Sequence, residues 1–417
     1  MDRVAQNKQR TGFVTIPAAK SWAHRILITA ALAKENVKVL CEGISDDIQA
    51  TIDCLSALGA DFDISDGEIN VSPIRELPTS QVHLYCKESG STLRFLLPVV
   101  GALGVNGVFH MEGRLKDRPL TELSRELSKN GMEISLSESL LYVKGKLKPG
   151  AFSLPGDVSS QYISGLLMAL YIVEGDSVLE VTGEIQSEKY IQITEQALKC
   201  SGADIIKNGN IYTIHSMQRF QPASSIVVEG DWSSAAFFLG MGALSEKGIC
   251  INALNLDSIQ GDKAMLDVLA SMGAEVSLKE DAVFVKKGNL KGITVDASQI
   301  PDLVPVIAAI ASLCRGETHI VNAGRLRFKE SDRIVSTVAM IRSVGGEVTE
   351  LEDGMIIEGS STLRGGVVDS YKDHRIAMAA SVIAMGCENA VVIKDAQCTN
   401  KSFPDYWDRL DRLMIAE

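Results

Sequence analysis

The chain has 417 residues, 46% hydrophobic and 23% charged, which suits a globular protein large enough for two or more domains. Its 41 Lys and Arg stand against 53 Asp and Glu, a net charge of −12. That balance excludes broad binding to nucleic acid or to anionic membranes, so any anion site must be a local cationic cluster.

The first ten residues are polar and lack the apolar core of a secretion signal. The longest apolar runs, Phe95–Val105 and Leu303–Leu313, are too short to span a bilayer and read as buried helices. Eight cysteines are scattered without a C-x-x-C pair. They suit a reducing cytoplasm and neither a disulfide framework nor a zinc site.

In chain order, Thr11–Ile16 reads as a strand. Buried helices are predicted to start near Lys20, Gly90, Ser160, Ser233, Pro301 and Asp373, about 70 residues apart. Their bodies are nearly free of polar residues: Ile26–Ala33, Leu93–Leu103, Ile163–Val173, Ala235–Leu244, Leu303–Leu313 and Ile376–Ala384. A short strand follows each, at Val37–Leu40, Val108–Met111, Val178–Val181, Ile249–Ile251, Thr318–Val321 and Ala390–Ile393. Amphipathic helices alternate with the buried ones. Ile48, Ile52, Leu55 and Leu58 share a face in the first, and Met265, Val268, Leu269 and Met272 in the fourth. A sixth is predicted over Asp405–Ile415, with no strands after it.

Five of these helices end on one signature: Leu-Gly59-Ala-Asp-Phe, Asn-Gly131-Met-Glu-Ile, Ser-Gly202-Ala-Asp-Ile, Met-Gly273-Ala-Glu-Val and Val-Gly345-Gly-Glu-Val. The glycines step by 72, 71, 71 and 72 and are predicted to close the helices in a left-handed conformation. Strands follow, often as hairpins such as Glu275–Leu278 with Ala282–Val285. The fold class is therefore α/β, built from six repeats of a two-helix unit. The set divides into two domains of three, residues 1–18 with 229–417 and residues 19–228, with crossings at Ile16–Ser21 and Ile226–Asp231.

Charge concentrates in Arg325-Leu-Arg-Phe-Lys-Glu-Ser-Asp-Arg333, where Arg325, Arg327, Lys329 and Arg333 stand beside Glu330 and Asp332. Gly324 precedes it, and the helical pattern Ile334, Val335, Val338, Ile341 follows. A loop entering a helix N-terminus suits anions, because unpaired N–H groups and the helix dipole favour negative charge. Guanidinium groups add bidentate donors. A solvated charged loop is the bland alternative. Similar residues recur at matching places in the repeat: Lys20, Ser21 and Arg25; Glu88-Ser-Gly90-Ser-Thr with Arg94; Arg114, Lys116 and Arg118; Ser159, Ser160 and Gln161; Ser187, Lys189 and Tyr190; Asp302; Lys372 to Arg375; Asn400 and Lys401. Equivalent positions of repeated units can converge on one cleft, and two phosphate-bearing substrates would account for so many cations. Ser159 could be a plain N-cap or a phosphate donor. Asp302, after Pro301, could cap a helix or act as a base. His374 is assigned no chemistry. No P-loop, dinucleotide fingerprint or nucleophile elbow stands in a convincing context.

Eight motifs together resemble the EPSP synthase (3-phosphoshikimate 1-carboxyvinyltransferase) family of enolpyruvyl transferases. They are Lys20-Ser-x-x-x-Arg25, Glu88-Ser-Gly-Ser-Thr-Leu-Arg94, Arg114-Leu-Lys-Asp-Arg-Pro119, Ser159-Ser-Gln161, Gly230-Asp-Trp-Ser-Ser-Ala235, Ile300-Pro-Asp302, Arg327-Phe-Lys-Glu-Ser-Asp-Arg333 and Asp373-His-Arg375. The match runs from about Lys20 to Lys401. The resemblance implies two domains of three inverse βαβαββ units. It implies transfer of the enolpyruvyl group of phosphoenolpyruvate to the 5-hydroxyl of shikimate 3-phosphate, by addition and elimination of phosphate. Lys20, Ser21, Arg25, Ser159, Ser160, Gln161, Ser187, Tyr190, Asp302 and Lys329 would hold shikimate 3-phosphate. Lys20, Gly90, Arg118, Gln161, Arg333, Arg375 and Lys401 would hold phosphoenolpyruvate. Asp302 would take the hydroxyl proton, and Glu330 with Lys20 would move the proton of the methylene carbon. The domain containing Asp302, Glu330 and Arg375 would be the phosphoenolpyruvate side and the other the shikimate 3-phosphate side. No metal or organic cofactor is implied, no nucleic acid or membrane partner is expected, and the chain is expected to be a cytoplasmic monomer.

Three positions depart from the family pattern. Glu88 stands where many relatives carry Asn, Arg325 where some carry Asn, and Phe95 where many carry Pro. UDP-N-acetylglucosamine enolpyruvyltransferase is the rival of the same fold. It usually carries a reactive Cys, sometimes Asp, in the loop matching Gly113–Pro119, which here has Asp117 and no Cys. A silent phosphometabolite-binding protein is the alternative of another class.

Overall fold

Apolar runs without polar interruption can be stable only where both faces are covered, and the chain covers them with its own repeats. The computed structural model describes residues 1–216 and 219–415. Among them are twelve α-helices: α1 (Lys20–Ala31), α2 (Asp46–Ala57), α3 (Gly90–Leu103), α4 (Thr121–Lys129), α5 (Ser160–Leu170), α6 (Glu188–Cys200), α7 (Trp232–Leu244), α8 (Met265–Met272), α9 (Val304–Ala311), α10 (Arg333–Ser343), α11 (His374–Ile383) and α12 (Tyr406–Arg412). The odd-numbered six are the buried set. Every residue of α9 is buried, and in α7 only Ser233 is not. The even-numbered helices bury one stripe each, as α8 does with Met265, Leu269 and Met272. All five signature glycines adopt positive φ, between 79° and 105°, which only glycine takes without strain.

The chain divides into two units, Met1–Ala19 with Glu229–Glu417 and Lys20–Val228. Among the described residues, each unit holds three sheets. In four sheets, two strands bracket a buried helix and pair in parallel, as a helical crossover requires. These are Val82–Lys87 with Gly107–Met111 around α3, and Ala151–Pro155 with Ser177–Thr182 around α5. The others are Thr294–Asp296 with Glu317–Val321 around α9, and Gly366–Asp369 with Val391–Lys394 around α11. In three of these sheets a hairpin after the next even-numbered helix adds antiparallel strands, such as Glu133–Ser137 and Leu140–Lys144 after α4; in the sheet around α11 the antiparallel strand is Arg3–Ala5. In this sheet Phe109 lies opposite Leu141, and both are buried.

The sheets of α1 and α7 exchange their first strands. Arg10–Thr15 precedes α1 but pairs in parallel with Ile249–Asn252, which follows α7. Ser225–Val227 precedes α7 but pairs in parallel with Val37–Leu40, which follows α1. The chain changes unit immediately after each of these strands, so each unit keeps three complete sheets.

The chain's two ends differ from the sequence reading. Arg3–Ala5 is a strand that hydrophobic patterning did not single out, and it pairs antiparallel with Val391–Ile393. The last helix stops at Arg412 rather than Ile415. Leu413 turns extended and buried, and Met414–Ile415 pairs antiparallel with Arg10–Thr11. Three residues of apolar side chain cannot prolong an amphipathic face and also cover the open edge of the Arg10–Thr15 strand, and edge pairing prevails.

The helix N-termini carry the polar residues by ordinary capping. Ser89 accepts from the Thr92 amide before α3, and Ser159 from the Gln161 amide before α5. Asp231 accepts from the Ser233 amide before α7, and Asp373 from the Arg375 amide before α11.

Candidate active site

In the first unit, Arg333 is the hub. It opens α10, is 1% exposed, and reaches three carboxylates. Its Nε donates to Asp373 Oδ2 at 2.8 Å, one terminal nitrogen to Asp302 Oδ1 at 2.8 Å, and the other to Glu330 Oε2 at 2.7 Å. Burial alone would lower the Arg333 pKa, but Asp373, Glu330 and Asp302 raise it, so it is a permanent cation.

Asp302 lies in a 3₁₀ turn, Pro301–Leu303, that leads into α9. Besides Arg333 it receives Lys329 Nζ at 3.3 Å and an Arg375 terminal nitrogen at 3.1 Å. Burial would raise its pKa, yet Arg375, Lys329 and Arg333 together hold it well below the usual carboxylate range. Of the two readings, cap or base, the geometry shows a carboxylate enclosed by three cations. Lys329 is pushed down to about 8 by burial, with Asp302 opposing and Arg333 and Arg325 assisting.

Arg375, in the first turn of α11, also donates to the Asp302 carbonyl at 3.1 Å and to Ser233 Oγ at 2.6 Å. It is presented by a strained lead-in: Tyr371 and Lys372 both adopt the left-handed region, at φ 52° and 55°. Lys401 ends the 3₁₀ turn Ala396–Lys401 and is buried.

The charged stretch Arg325–Arg333 thus divides. Leu326 is buried within the 3₁₀ turn Gly324–Phe328, and Phe328 is exposed. Arg327 turns away from the cluster. It donates to Asp332 and Glu350 at 3.1 Å each and to the Leu351 and Glu352 carbonyls. Asp332 caps α10 through the Val335 amide. These two hold the loop, while Lys329, Glu330 and Arg333 face Asp302.

In the second unit, Lys20 opens α1 and its Nζ pairs with Asp47 Oδ2 at 2.7 Å. Arg25, one turn on, is buried. It donates to Thr194 Oγ1 at 2.6 Å, to the Ser21 carbonyl at 2.5 Å, to the Tyr190 carbonyl at 2.9 Å and to Ser164 Oγ at 3.2 Å. Its guanidinium stacks 4.7 Å from the centre of the Phe95 ring. Burial lowers its pKa to about 9, with Tyr190 opposing. Arg25 therefore ties Ser21 and Tyr190, both predicted site residues, into one framework. Phe95, a departure at the sequence level, is the core ring on which Arg25 rests.

Gly90 begins α3 between two guanidinium groups. A Cβ there would stand 2.7 Å from an Arg94 terminal nitrogen and 2.8 Å from one of Arg118. Arg94 donates to Gln161 Oε1 at 2.9 Å and to the Pro119 carbonyl at 3.0 Å, and Gln161 Nε2 donates to Ser91 Oγ at 2.9 Å. Gly165 allows α5 to press on the Arg94 carbonyl, which fixes Gln161 against Arg94. The Glu88 side chain lies against Gly113, whose φ is 54°.

Ser159 and Ser160 begin α5, and Ser160 is buried. Ser187 precedes α6 in the left-handed region at φ 55° and is 2% exposed. A buried non-glycine residue held there marks a constrained position.

Sequence reasoning did not select Asp47 as a site residue, and used Ser233 and Asp373 only as parts of motifs. Asp47 looks like a first-turn acid that favours the α2 dipole. The repeat offered a signal. Asp47, Tyr190 and Arg333 precede Gly59, Gly202 and Gly345 by the same number of residues, so all three occupy one place in the unit.

Residues 4–410 match the family EPSP synthase (3-phosphoshikimate 1-carboxyvinyltransferase). The 3-phosphoshikimate 1-carboxyvinyltransferase of Clostridium kluyveri is 40% identical over 402 residues, which cover 95% of this chain and 93% of the relative. That of Clostridium acetobutylicum is 40% identical over 410 residues, covering 96% and 95%. Among solved structures, an EPSP synthase from Acinetobacter baumannii is 25% identical with a TM-score of 0.81, covering 100% of this chain and 98% of that one. The enolpyruvyl transferase NikO from Streptomyces tendae has a TM-score of 0.81 at 15% identity, covering 100% and 97%, and is similar in fold.

Proposed function

The chain belongs to the EPSP synthase family, and from that premise we propose that it transfers the enolpyruvyl group of phosphoenolpyruvate to the 5-hydroxyl of shikimate 3-phosphate, releasing phosphate. The observation that carries the reading is Asp302 held by Arg333, Arg375 and Lys329, with Glu330 on the same arginine.

Asp302 takes the proton of the attacking hydroxyl. Alone it is ionised but a weak base, because three cations depress it. Anionic phosphoenolpyruvate bound to Arg333 and Arg375 offsets their field and restores its basicity. Glu330 delivers a proton to the methylene carbon of phosphoenolpyruvate and later removes one, so that the tetrahedral adduct forms and then loses phosphate. Lys20, Gly90, Arg118, Gln161, Arg333, Arg375 and Lys401 hold phosphoenolpyruvate. Ser21, Arg25, Ser159, Ser160, Gln161, Ser187, Tyr190 and Lys329, with Lys20 and Asp302, hold shikimate 3-phosphate. The fixed cations stabilise charge as it develops on the departing phosphate. The unit containing Asp302, Glu330 and Arg375 is the phosphoenolpyruvate side and Lys20–Val228 the shikimate 3-phosphate side. The enzyme works as a monomer in the cytoplasm, where its eight free thiols would stay reduced.

The test is phosphate release from phosphoenolpyruvate, with shikimate 3-phosphate in one tube and UDP-N-acetylglucosamine in another. Release with the first alone is expected. Release with the second alone overturns the acceptor, and release with neither makes the protein a silent binder of phosphometabolites.

A further inference from the structure

Arg333 and Arg25 are both buried, and they are held in opposite ways. Arg333 meets three carboxylates. Arg25, 2% exposed, meets only oxygens without formal charge. Its Nε donates to Thr194 Oγ1 at 2.6 Å and one terminal nitrogen to the Ser21 carbonyl at 2.5 Å. The other terminal nitrogen donates to Ser164 Oγ at 3.2 Å and to the Tyr190 carbonyl at 2.9 Å. The Phe95 ring covers one face. Among the described residues no carboxylate pairs with Arg25, although the chain carries 53 Asp and Glu. Four of the five N–H donors of the guanidinium are used in this way. The fifth belongs to the terminal nitrogen that serves the Ser21 carbonyl.

The two hydroxyls are themselves a pair. Thr194, in α6, donates to Ser164 Oγ, in α5, at 2.7 Å, and both side chains are fully buried. Thr194 Oγ1 also reaches the Tyr190 carbonyl, one turn earlier in α6, at 3.2 Å. Arg25 is thus fixed between α5 and α6, the helices whose starts carry Ser159, Ser160 and Ser187.

We propose that Thr194 and Ser164 are positioning residues that hold Arg25 through hydroxyls rather than carboxylates, so that its charge is left for an anionic group of shikimate 3-phosphate. The proposal rests on the reading of Lys20–Val228 as the side that takes this substrate. A carboxylate in the same place would bond the guanidinium more strongly but would cancel its charge before a ligand arrived. A neutral clamp fixes the geometry and leaves the field. The arrangement weakens the fold, because burial lowers the Arg25 pKa to about 9. The penalty is present in full at neutral pH, where the group keeps its proton, and fades only as pH rises above about 9. An arriving anion relieves it, since a buried charge is stable only beside an opposite one.

Thr194→Asn and Thr194→Asp have nearly the same shape and differ by one charge. Calorimetry with shikimate 3-phosphate, in the absence of phosphoenolpyruvate, reads affinity, and Tm reads the fold. Thr194→Asn keeps an acceptor for Nε and is expected to bind within about fivefold of the unaltered protein. Thr194→Asp is expected to bind about 30-fold more weakly than Thr194→Asn, the scale of a hydrogen bond to a charged group, with an equal or higher Tm. Thr194→Val, which removes the acceptor, should weaken binding about tenfold, and Ser164→Ala, whose bond to Arg25 is longer, about threefold. Equal affinity in Thr194→Asp and Thr194→Asn, or unaltered affinity in Thr194→Val, would overturn the proposal. If Thr194→Asp does not fold, Thr194→Val and the Arg25 resonance decide.

That resonance, the Nε–H signal of Arg25 in ¹⁵N NMR, needs no turnover. An N–H held on a buried hydroxyl exchanges slowly with water, so one protected signal is expected, absent in Arg25→Lys and lost in Thr194→Val. A protected signal that Thr194→Val leaves in place would overturn the link from Thr194 to Arg25. If the unaltered protein does not bind shikimate 3-phosphate, the proposed function fails, while this signal still decides how Arg25 is held.

Discussion

Replacing Arg333 with Met removes one cation from among three carboxylates while keeping most of the side-chain volume. Arg333 is 1% exposed, and its bonds to Asp373, Asp302 and Glu330 span 2.7–2.8 Å. Asp302 keeps Lys329 and Arg375, so the uncompensated charge falls mainly on Asp373 and Glu330. Asp373 retains Ser331 Oγ at 2.9 Å and the Arg375 amide at 3.0 Å, which cannot replace a cation. Breaking a buried pair from one side costs about 3–5 kcal/mol, and that is the loss expected at pH 8. The loss should shrink with acid. In the unaltered protein, Asp302 is held low and contributes stability above its ordinary pKa, lost only as pH falls through the folded value. In the variant the carboxylates bind protons more tightly, take them up early and relieve the strain. Between pH 8 and 5.5 the difference should narrow, because each unit by which a buried carboxylate of the variant rises above pH 5.5 relieves about 1.4 kcal/mol at that pH. Urea unfolding reads this in a Trp22→Phe background, where Trp232 and Trp407 report the first unit alone. A loss below about 1 kcal/mol, or one that does not change with pH, would refute the account of Arg333 as the charge hub.

Other perturbations separate binding from chemistry. Glu330→Gln keeps an acceptor for Arg333 but cannot shuttle a proton, so turnover should drop by roughly 100-fold or more while both substrates still bind. A near-normal rate of phosphate release would remove Glu330 from that role. Gly90→Ala places a methyl group under 3 Å from Arg94 and Arg118, whose guanidinium ends must move. KM for phosphoenolpyruvate should rise roughly tenfold with little change in Tm, because alanine suits a first helical turn. Lys329 loses its proton as pH rises through about 8, so calorimetric affinity for shikimate 3-phosphate should weaken above that pH and should lose this dependence in Lys329→Met. The sign for stability is opposite: with a lowered folded pKa, this lysine makes the fold more stable as pH climbs from about 8 toward its ordinary 10.5.

The fold was legible where one physical demand acted alone. Each buried helix announces itself by ten or so residues without charge, and α1, α3 and α5 begin at Lys20, Gly90 and Ser160, where polar residues give way to that run. The strands ahead of those helices were harder to see. Thr294–Asp296 and Gly366–Asp369 are three and four residues long and half polar, too short for a period-2 pattern. Arg3–Ala5 was hidden for the same reason, and Met414–Ile415 because a two-residue strand takes its pairing wholly from a distant neighbour.

The site obeys a different logic. The repeat determines which places in each unit put polar residues at helix starts, and that much is periodic in sequence. Asp47, Tyr190 and Arg333 stand at one such place and could hardly differ more in charge. One pairs with Lys20, the next lends its carbonyl to Arg25, and the third gathers three carboxylates. A repeat conserves backbone geometry because packing punishes its loss, but it leaves the chemistry at equivalent positions free to diverge. The sign of a charge is settled only by what the other units place opposite it. Arg333 gathers acids because Asp302 and Asp373, at other places in neighbouring repeats, are acids. The buried ionic groups of this protein are therefore readable one by one as polar residues at helix starts, and as a working set only when the units are assembled.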